Sequence, residues 1–360
     1  MKAIPYSLGS QAATLKALAI AAVGGAIAHL VGLPLAWMIG GMLATCAASV
    51  SGMTLKVPNW LRAAMVLVLG LLLGSRFTPD VLDSMGRWSI SVAGLLPHIA
   101  LSTGIGVWFL SRFARLDRTT AYFTAAPGGL SVMIMVGTAM GGDSRVIALS
   151  HATRVLLVVT CLPIAFTAFS TDLGPRGDYV PLSAVAGTEW LWLAACGIGW
   201  PIAARLRIPA AQLIGPLILA AVVHLMGWSS ATPPSFLVSV AQLVVGASVG
   251  VRFTGVRPRT MAAIAVQAVG LTVVLVAVSV ASALVLHMIT GLDFRALVLA
   301  YSPGGLAELS LVALSLHLDP AFVALHHMIR IFLIVVLAPA AYSLMKRYDR
   351  SAPSGPAPSE

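Results

Sequence analysis

Two copies of Pro-Gly-Gly-Leu stand out, at 127–130 and 303–306, each midway along an apolar run that should be a membrane-crossing helix. Proline removes a backbone donor, and each glycine weakens a helix by roughly 1 kcal/mol. Together they should unwind the helix at depth. Bare peptide groups are costly in hydrocarbon, so such breaks persist only where protein buries them or a wet cavity meets them. There, half-helix N-termini offer N–H groups and a positive dipole end to anions, while freed carbonyls can hold cations. The plain alternative is a kink that lets helices pack closely, since Gly and Pro are common in membrane helices. Two breaks at matching places favour a site.

Polar residues flank both breaks: Ser131 follows the first, and Glu308 stands five residues after Pro303. An intramembrane carboxylate is a functional candidate by default, and its structural role would be to cap the half-helix or neutralise an arginine. The next apolar segment in each case carries a histidine and an arginine three positions apart, His151 with Arg154 and His327 with Arg330. That spacing puts each pair on one helix face. An arginine at such depth costs several kcal/mol unless paired or hydrated. An anionic ligand would satisfy it, and so would carbonyls freed by the neighbouring break; the sequence leaves both open. Asp143 and Asp319 precede these segments and suit N-capping. The candidate substrate site is therefore Pro127, Gly128, Gly129, Ser131, His151, Arg154, Pro303, Gly304, Gly305, Glu308, His327 and Arg330.

No catalytic or metal constellation accompanies them. Cys46, Cys161 and Cys196 sit singly in apolar runs and read as packing residues. His326 and His327 are adjacent, so on a helix they point about 100° apart and cannot easily share one ion. Gln212, Gln242 and Gln267 read as interhelical hydrogen bonders. The chain is expected to be no enzyme and to need no cofactor.

The elements that must hold these residues are dictated by composition. The chain is 59% hydrophobic and 9% charged, with a mean hydropathy of +0.95; soluble domains are about one quarter charged. A bilayer accepts such a surface, and water does not. The net charge of +10 comes from basic residues that sit mainly between apolar runs, where Lys and Arg flank membrane spans. No polar stretch is long enough for a nucleic-acid reader, so no direct nucleic-acid partner is expected.

Self-comparison shows a duplication. Leu33-Pro34 matches Ile208-Pro209 and Ile39-Gly40 matches Ile214-Gly215, both 175 positions apart. Thereafter the offset is 176: Gly74-Ser75-Arg76-Phe77-Thr78 with Gly250-Val251-Arg252-Phe253-Thr254, and the Pro-Gly-Gly, Asp, His and Arg pairs above. The expected fold is an all-α polytopic membrane protein with two tandem repeats of about five to six transmembrane segments each. Residues 1–12 form an N-terminal segment, 13–169 the first repeat, 170–187 a linker rich in Pro and Gly, 188–345 the second repeat and 346–360 a disordered basic tail. The first apolar run belongs to the mature fold, because a related run recurs later. Six crossings per repeat would make the repeats parallel. Loop charge points to inversion: Arg112, Arg115 and Arg118 lie in the loop whose counterpart holds Asp293 and Arg295, while Arg252, Arg257 and Arg259 lie in the preceding one. The basic tail argues against inversion with five crossings per repeat.

These motifs, GLPLAWMIGGMLA, LLLGSRFT, APGGLSVM, SPGGLAEL and the two HxxR helices, resemble the membrane AbrB duplication family of bacterial inner-membrane proteins over about residues 13–345. The resemblance implies a multi-pass protein of the inner (cytoplasmic) membrane. It also brings two inherited labels, regulator of AidB expression and ammonia monooxygenase. The stretch from LLLGSRFTPDVL through APGGLSVM to the following helix is similar, more distantly, to bile-acid/sodium symporters. In those proteins Pro-Gly-Gly is the unwound part of a crossing helix and the repeats are inverted. The extra early segment and the second Pro-Gly-Gly depart from that pattern, so no sodium or substrate ligands carry over. Three readings result: a secondary transporter or transporter-derived protein, a membrane sensor acting indirectly on gene expression, and, remotely, a membrane oxidase. The partners expected are the lipid bilayer and an unnamed small molecule or ion, with a homo-oligomer left open.

Overall fold

The computed structural model describes residues 8–169, 180–185, 187–256 and 258–351. Most of the expected linker (170–179 and 186), the first seven residues and the tail beyond Ser351 lie outside the described residues. The described residues form helices and no strand. The first half runs α1 (Leu8–Leu30), α2 (Ala36–Val50), α3 (Asn59–Gly74), a short α4 (Pro79–Met85), α5 (Ser89–Phe113), α6 (Arg118–Ala125), α7 (Leu130–Ala139) and α8 (Ser144–Phe169). The second half runs α9 (Gly187–Gly197), α10 (Gly199–Arg205), α11 (Ala211–Leu225), α12 (Ser235–Gly250), α13 (Pro258–Thr290), α14 (Phe294–Tyr301), α15 (Leu306–Ser315) and α16 (Pro320–Ser351).

Six of these helices, α1, α5, α8, α12, α13 and α16, are long and apolar enough to cross a membrane. Helix α13 shows why water cannot be its solvent. Ala268, Leu271, Leu275 and Ala283 are buried on one side, while Val266, Val273, Leu284 and Met288 are exposed on the other. A helix apolar on every face is at home in a core or a bilayer. The fold is that of an all-α polytopic membrane protein.

Local sequence explains the element ends. Asp117 and Asp293 cap α6 and α14, each accepting from the backbone N–H three residues on at 2.9 Å. Asp143 accepts from Arg145 N and Val146 N, and Asp319 from Ala321 N and Phe322 N. Both carboxylates therefore satisfy first-turn donors of the arginine helices. Helices α2 and α11 each follow a Pro and start after a left-handed non-glycine residue, Leu35 (φ 49°) and Ala210 (φ 51°). Such backbone costs about 1–3 kcal/mol, so the surrounding packing must hold it.

That packing is backbone against backbone. Gly24 on α1 and Gly40 on α2 face one another so closely that a Cβ on either would overlap the other's carbonyl oxygen. Gly199 on α10 and Gly215 on α11 repeat the arrangement. Across the halves, Gly70 and Gly74 of α3 lie against the carbonyls of Leu213 and Leu217 on α11, while Gly246 and Gly250 of α12 lie against those of Met38 and Met42 on α2. Small residues permit this approach, as at other membrane helix interfaces. The exchange is reciprocal. The largest core cluster sits around it and extends to the second broken pair, where Leu297, Leu299, Leu309, Leu311 and Val312 are fully buried.

Two features differ from the sequence-based expectation. The first apolar segment of the second repeat, residues 190–204, reads in the sequence as one span and is two helices, separated at Ile198. Pro201 has no N–H for the Gly197 carbonyl, and Gly199 must meet Gly215 at backbone distance. At the other end, α16 runs on to Ser351, past the boundary at 345 where a basic tail was expected to begin.

Candidate functional site

Both Pro-Gly-Gly sequences interrupt helix. Residues 126–129 separate α6 from α7, and 302–305 separate α14 from α15. The two interruptions open onto one cavity of about 370 Å³. That lies near the small end of the roughly 300–1,000 Å³ usual for ligand pockets. Its lining includes Pro127, Gly128 and Gly129 from the first break and Pro303, Gly304 and Gly305 from the second.

Each break leaves carbonyls without helical partners, and the arginine helices meet them. Proline at 127 has no N–H to give the Phe123 carbonyl, its partner in an unbroken helix. His151 Nε2 takes that place, donating to Phe123 O at 2.9 Å. Arg154 Nη1 reaches Thr124 O and Ala125 O at 3.4 Å, and its Nη2 donates to His151 Nδ1 at 2.6 Å. A carbonyl can only accept and a guanidinium can only donate, so His151 is the neutral imidazole with its proton on Nε2. In the second half Arg330 donates from Nη1 to Ser302 O at 2.6 Å and from Nη2 to Gly304 O at 2.8 Å. Ser279 Oγ donates to Tyr301 O at 3.0 Å. Both arginines are nearly inaccessible, at 4% and 2% exposure. Of the two roles left open by sequence, carbonyl binding is thus occupied, yet both arginines also line the cavity and the Nε of each has no partner.

Glu308 lies in the first turn of α15 and lines the cavity. Its carboxylate folds back over Gly305, where a Cβ would overlap Oε2. A negative charge here favours the positive end of the half-helix. Gly129, its counterpart, has open space around the same position. The two glycines therefore predict opposite outcomes. Gly305→Ala should displace the carboxylate and lower stability by about 1 kcal/mol. Gly129→Ala keeps an ordinary extended backbone (φ −64°, ψ 128°) and should gain about 0.4–1 kcal/mol by restricting the unfolded chain. Thermal denaturation of both variants in one detergent checks the signs; equal shifts would show that Glu308 does not depend on the glycine.

Ten of the twelve sequence-derived candidates line this cavity. His327 does not: it is fully buried behind the site, its Nδ1 donating to Val323 O at 3.0 Å. The side chain of Ser131 lies outside the described ones. The structure adds residues that sequence reasoning did not select. Arg62 from α3 and Arg252 from the turn after α12 converge on the cavity, with Pro209, Ala210 and Gln212 from the entry to α11. Arg62 stood in an apolar segment, a signal in itself; Arg252 read as a loop charge.

The described residues hold no cluster of three or more His, Cys, Asp or Glu that could bind a metal. The cavity presents guanidiniums, one carboxylate and two helix N-termini around a small space.

Two relatives resemble the chain along nearly its whole length. "Uncharacterized protein YhjN" of Bacillus subtilis is 30% identical, covering 91% of this chain and 92% of its own. "Putative regulator AbrB" of Escherichia coli is 26% identical, covering 88% of this chain and 91% of its own. A family model described as transition state regulatory protein AbrB matches residues 37–346, from α2 to the end of the second arginine helix's apolar run. With five of the six candidate spans and both helix breaks inside that region, the chain belongs to the membrane AbrB duplication family.

Proposed function

We propose that this protein is a secondary transporter, or a membrane protein derived from one, whose ligand site is the cavity between the two broken helices. One observation carries the reading: interruptions from opposite halves of the chain open onto the same small cavity beside Glu308, Arg154 and Arg330. Discontinuous helices meeting at one site are the means by which transporter folds present peptide groups to a substrate. The reciprocal contacts of α3 with α11 and of α12 with α2 support two repeats related by a two-fold axis. Together with the loop-charge exchange, they favour inverted repeats. A helical multi-pass architecture suits the cytoplasmic membrane, since outer-membrane spans are β-barrels. Neither catalysis nor a cofactor enters this reading.

The test is ligand-dependent stabilisation followed by flux. Purified protein in nanodiscs is heated with organic anions, amines and inorganic ions, since a ligand that binds the native state raises its stability. A compound that stabilises should do so with a shifted apparent affinity in Glu308→Gln, because the cavity lining loses its one acid. It should also cross proteoliposome membranes only when the protein is present. Saturable binding without flux would support the second reading, a sensor acting indirectly on gene expression, which draws on the regulator name of the Escherichia coli relative. No stabilisation by any compound would remove the central-site reading.

A further inference from the structure

The charges around the cavity are unbalanced. Arg62, Arg154, Arg252 and Arg330 line it, and Glu308 is the one acid among the lining residues. The four guanidiniums are not equivalent. Arg154 and Arg330 hold carbonyls of the broken helices. Arg62 and Arg252 have no hydrogen-bond or salt-bridge partner among the described residues. Arg252 lies within electrostatic range of both Arg62 and Glu308, so the two free cations feel one another. Like charges close together in a low-dielectric setting oppose folding. Their presence is explained if something absent from the chain itself completes the site.

The helix ends show the same imbalance. Neither α7 nor α15 has a side-chain N-cap bond. The start of α15 is covered by the Glu308 carboxylate over Gly305. Among the described side chains none covers the start of α7, and Gly129 leaves space in front of it. Beside it stands Arg154, 4% exposed, with an Nε–H that nothing accepts. A free N-terminus with an adjacent buried donor is suited to an oxyanion. At the second break the protein supplies that anion itself.

We propose that the cavity takes a small organic dianion, with one oxyanion group at the start of α7 beside Arg154 and the other between Arg62 and Arg252. This rests on the central-site reading above and gives it a ligand class. Carboxylate and phosphate share the planar or tripodal oxygens that a guanidinium fork matches. Two such groups reduce the formal excess of four guanidiniums over one carboxylate from three charges to one. Amines and metal cations meet net repulsion.

The test uses full-length protein in nanodiscs at fixed ionic strength. Succinate, citrate and inorganic phosphate are titrated against choline and putrescine, with melting temperature as the readout. Succinate or citrate should raise it saturably, and phosphate alone should act only at higher concentration. Arg62→Gln and Arg252→Gln should each weaken the apparent affinity about ten- to a hundredfold, the effect of losing one charge-assisted hydrogen bond. Without ligand, both substitutions should raise the melting temperature by removing repulsion. A lower melting temperature there would make these arginines structural and overturn the proposal, as would anion stabilisation that survives both variants. Stabilisation by choline or putrescine alone would overturn the dianion while leaving the central site standing. Stabilisation by none of the five would remove both.

Discussion

Gly40→Leu should abolish the folded protein, while Gly104→Leu should leave it intact. Both glycines lie in apolar helices, and composition does not separate them. Gly40 faces Gly24 across α1 and α2, and even a methyl group would enter the opposing carbonyl. The obstacle is backbone, which cannot rotate away as a side chain can. Overpacking a well-filled interior usually costs about 1–3 kcal/mol, and parting two helices at their point of closest approach should exceed that. Gly215→Leu should fail in the same way against Gly199. At Gly104 on α5 nothing lies within 4 Å, and its side chain would enter lipid. Fluorescence-detected size exclusion of detergent extracts reads the outcome. A monodisperse peak for Gly40→Leu would mean that α1 and α2 are not held at backbone contact.

The second large effect concerns the two arginines, which occupy matching positions but should not be equally important to stability. Arg330→Met removes donors that reach Ser302 O at 2.6 Å and Gly304 O at 2.8 Å. Each buried carbonyl left without a partner costs about 1–3 kcal/mol. Arg154 makes its carbonyl contacts at 3.4 Å, near the limit of a hydrogen bond, and His151 still serves Phe123 O when it is gone. Arg154→Met should therefore cost less, the main loss being the 2.6 Å bond from its Nη2 to His151 Nδ1. Arg330→Lys should fall between, because an ammonium keeps the charge but loses the fork that spans two carbonyls. Melting temperatures of the three variants in one detergent decide it. Equal losses for both methionine substitutions would make the shorter distances irrelevant.

Much of this was legible because the relevant signals are local. Pro127 and Pro303 remove a donor wherever they stand, so the breaks follow from the chain itself. The arginines three positions after histidines had to find polar partners, and freed carbonyls lie one helix away. Long apolar segments predict spans for the same reason. What escaped was convergence. Arg62 joins the cavity from α3, and its counterpart by offset is Val238, so the duplication gives no hint of it. Arg252 has a counterpart in Arg76, which does not line the cavity. The first half supplies an open helix end at Gly129 and the second a covered one at Gly305. The break at Ile198 was half hidden: Pro201 removes a donor in plain view, but the approach of Gly199 to Gly215 on another helix is not local.

The crossed glycine contacts also bear on how the chain is made. Helix α3 packs on α11 and α12 packs on α2, so neither half can complete its own interior. Gly70 and Leu213 lie 143 positions apart in the sequence, and Met38 and Gly246 lie 208 apart. A ribosome adding roughly 5–20 residues per second needs about 7–42 s to cover those spans. Through that interval α2 and α3 sit in the nascent membrane with their glycine faces open to lipid or to whatever insertion factor shields them. A stop codon in the second half would therefore release not a working half-protein but an orphan sheath of helices, exposed to quality-control proteolysis along the seam that its missing sequence should have closed.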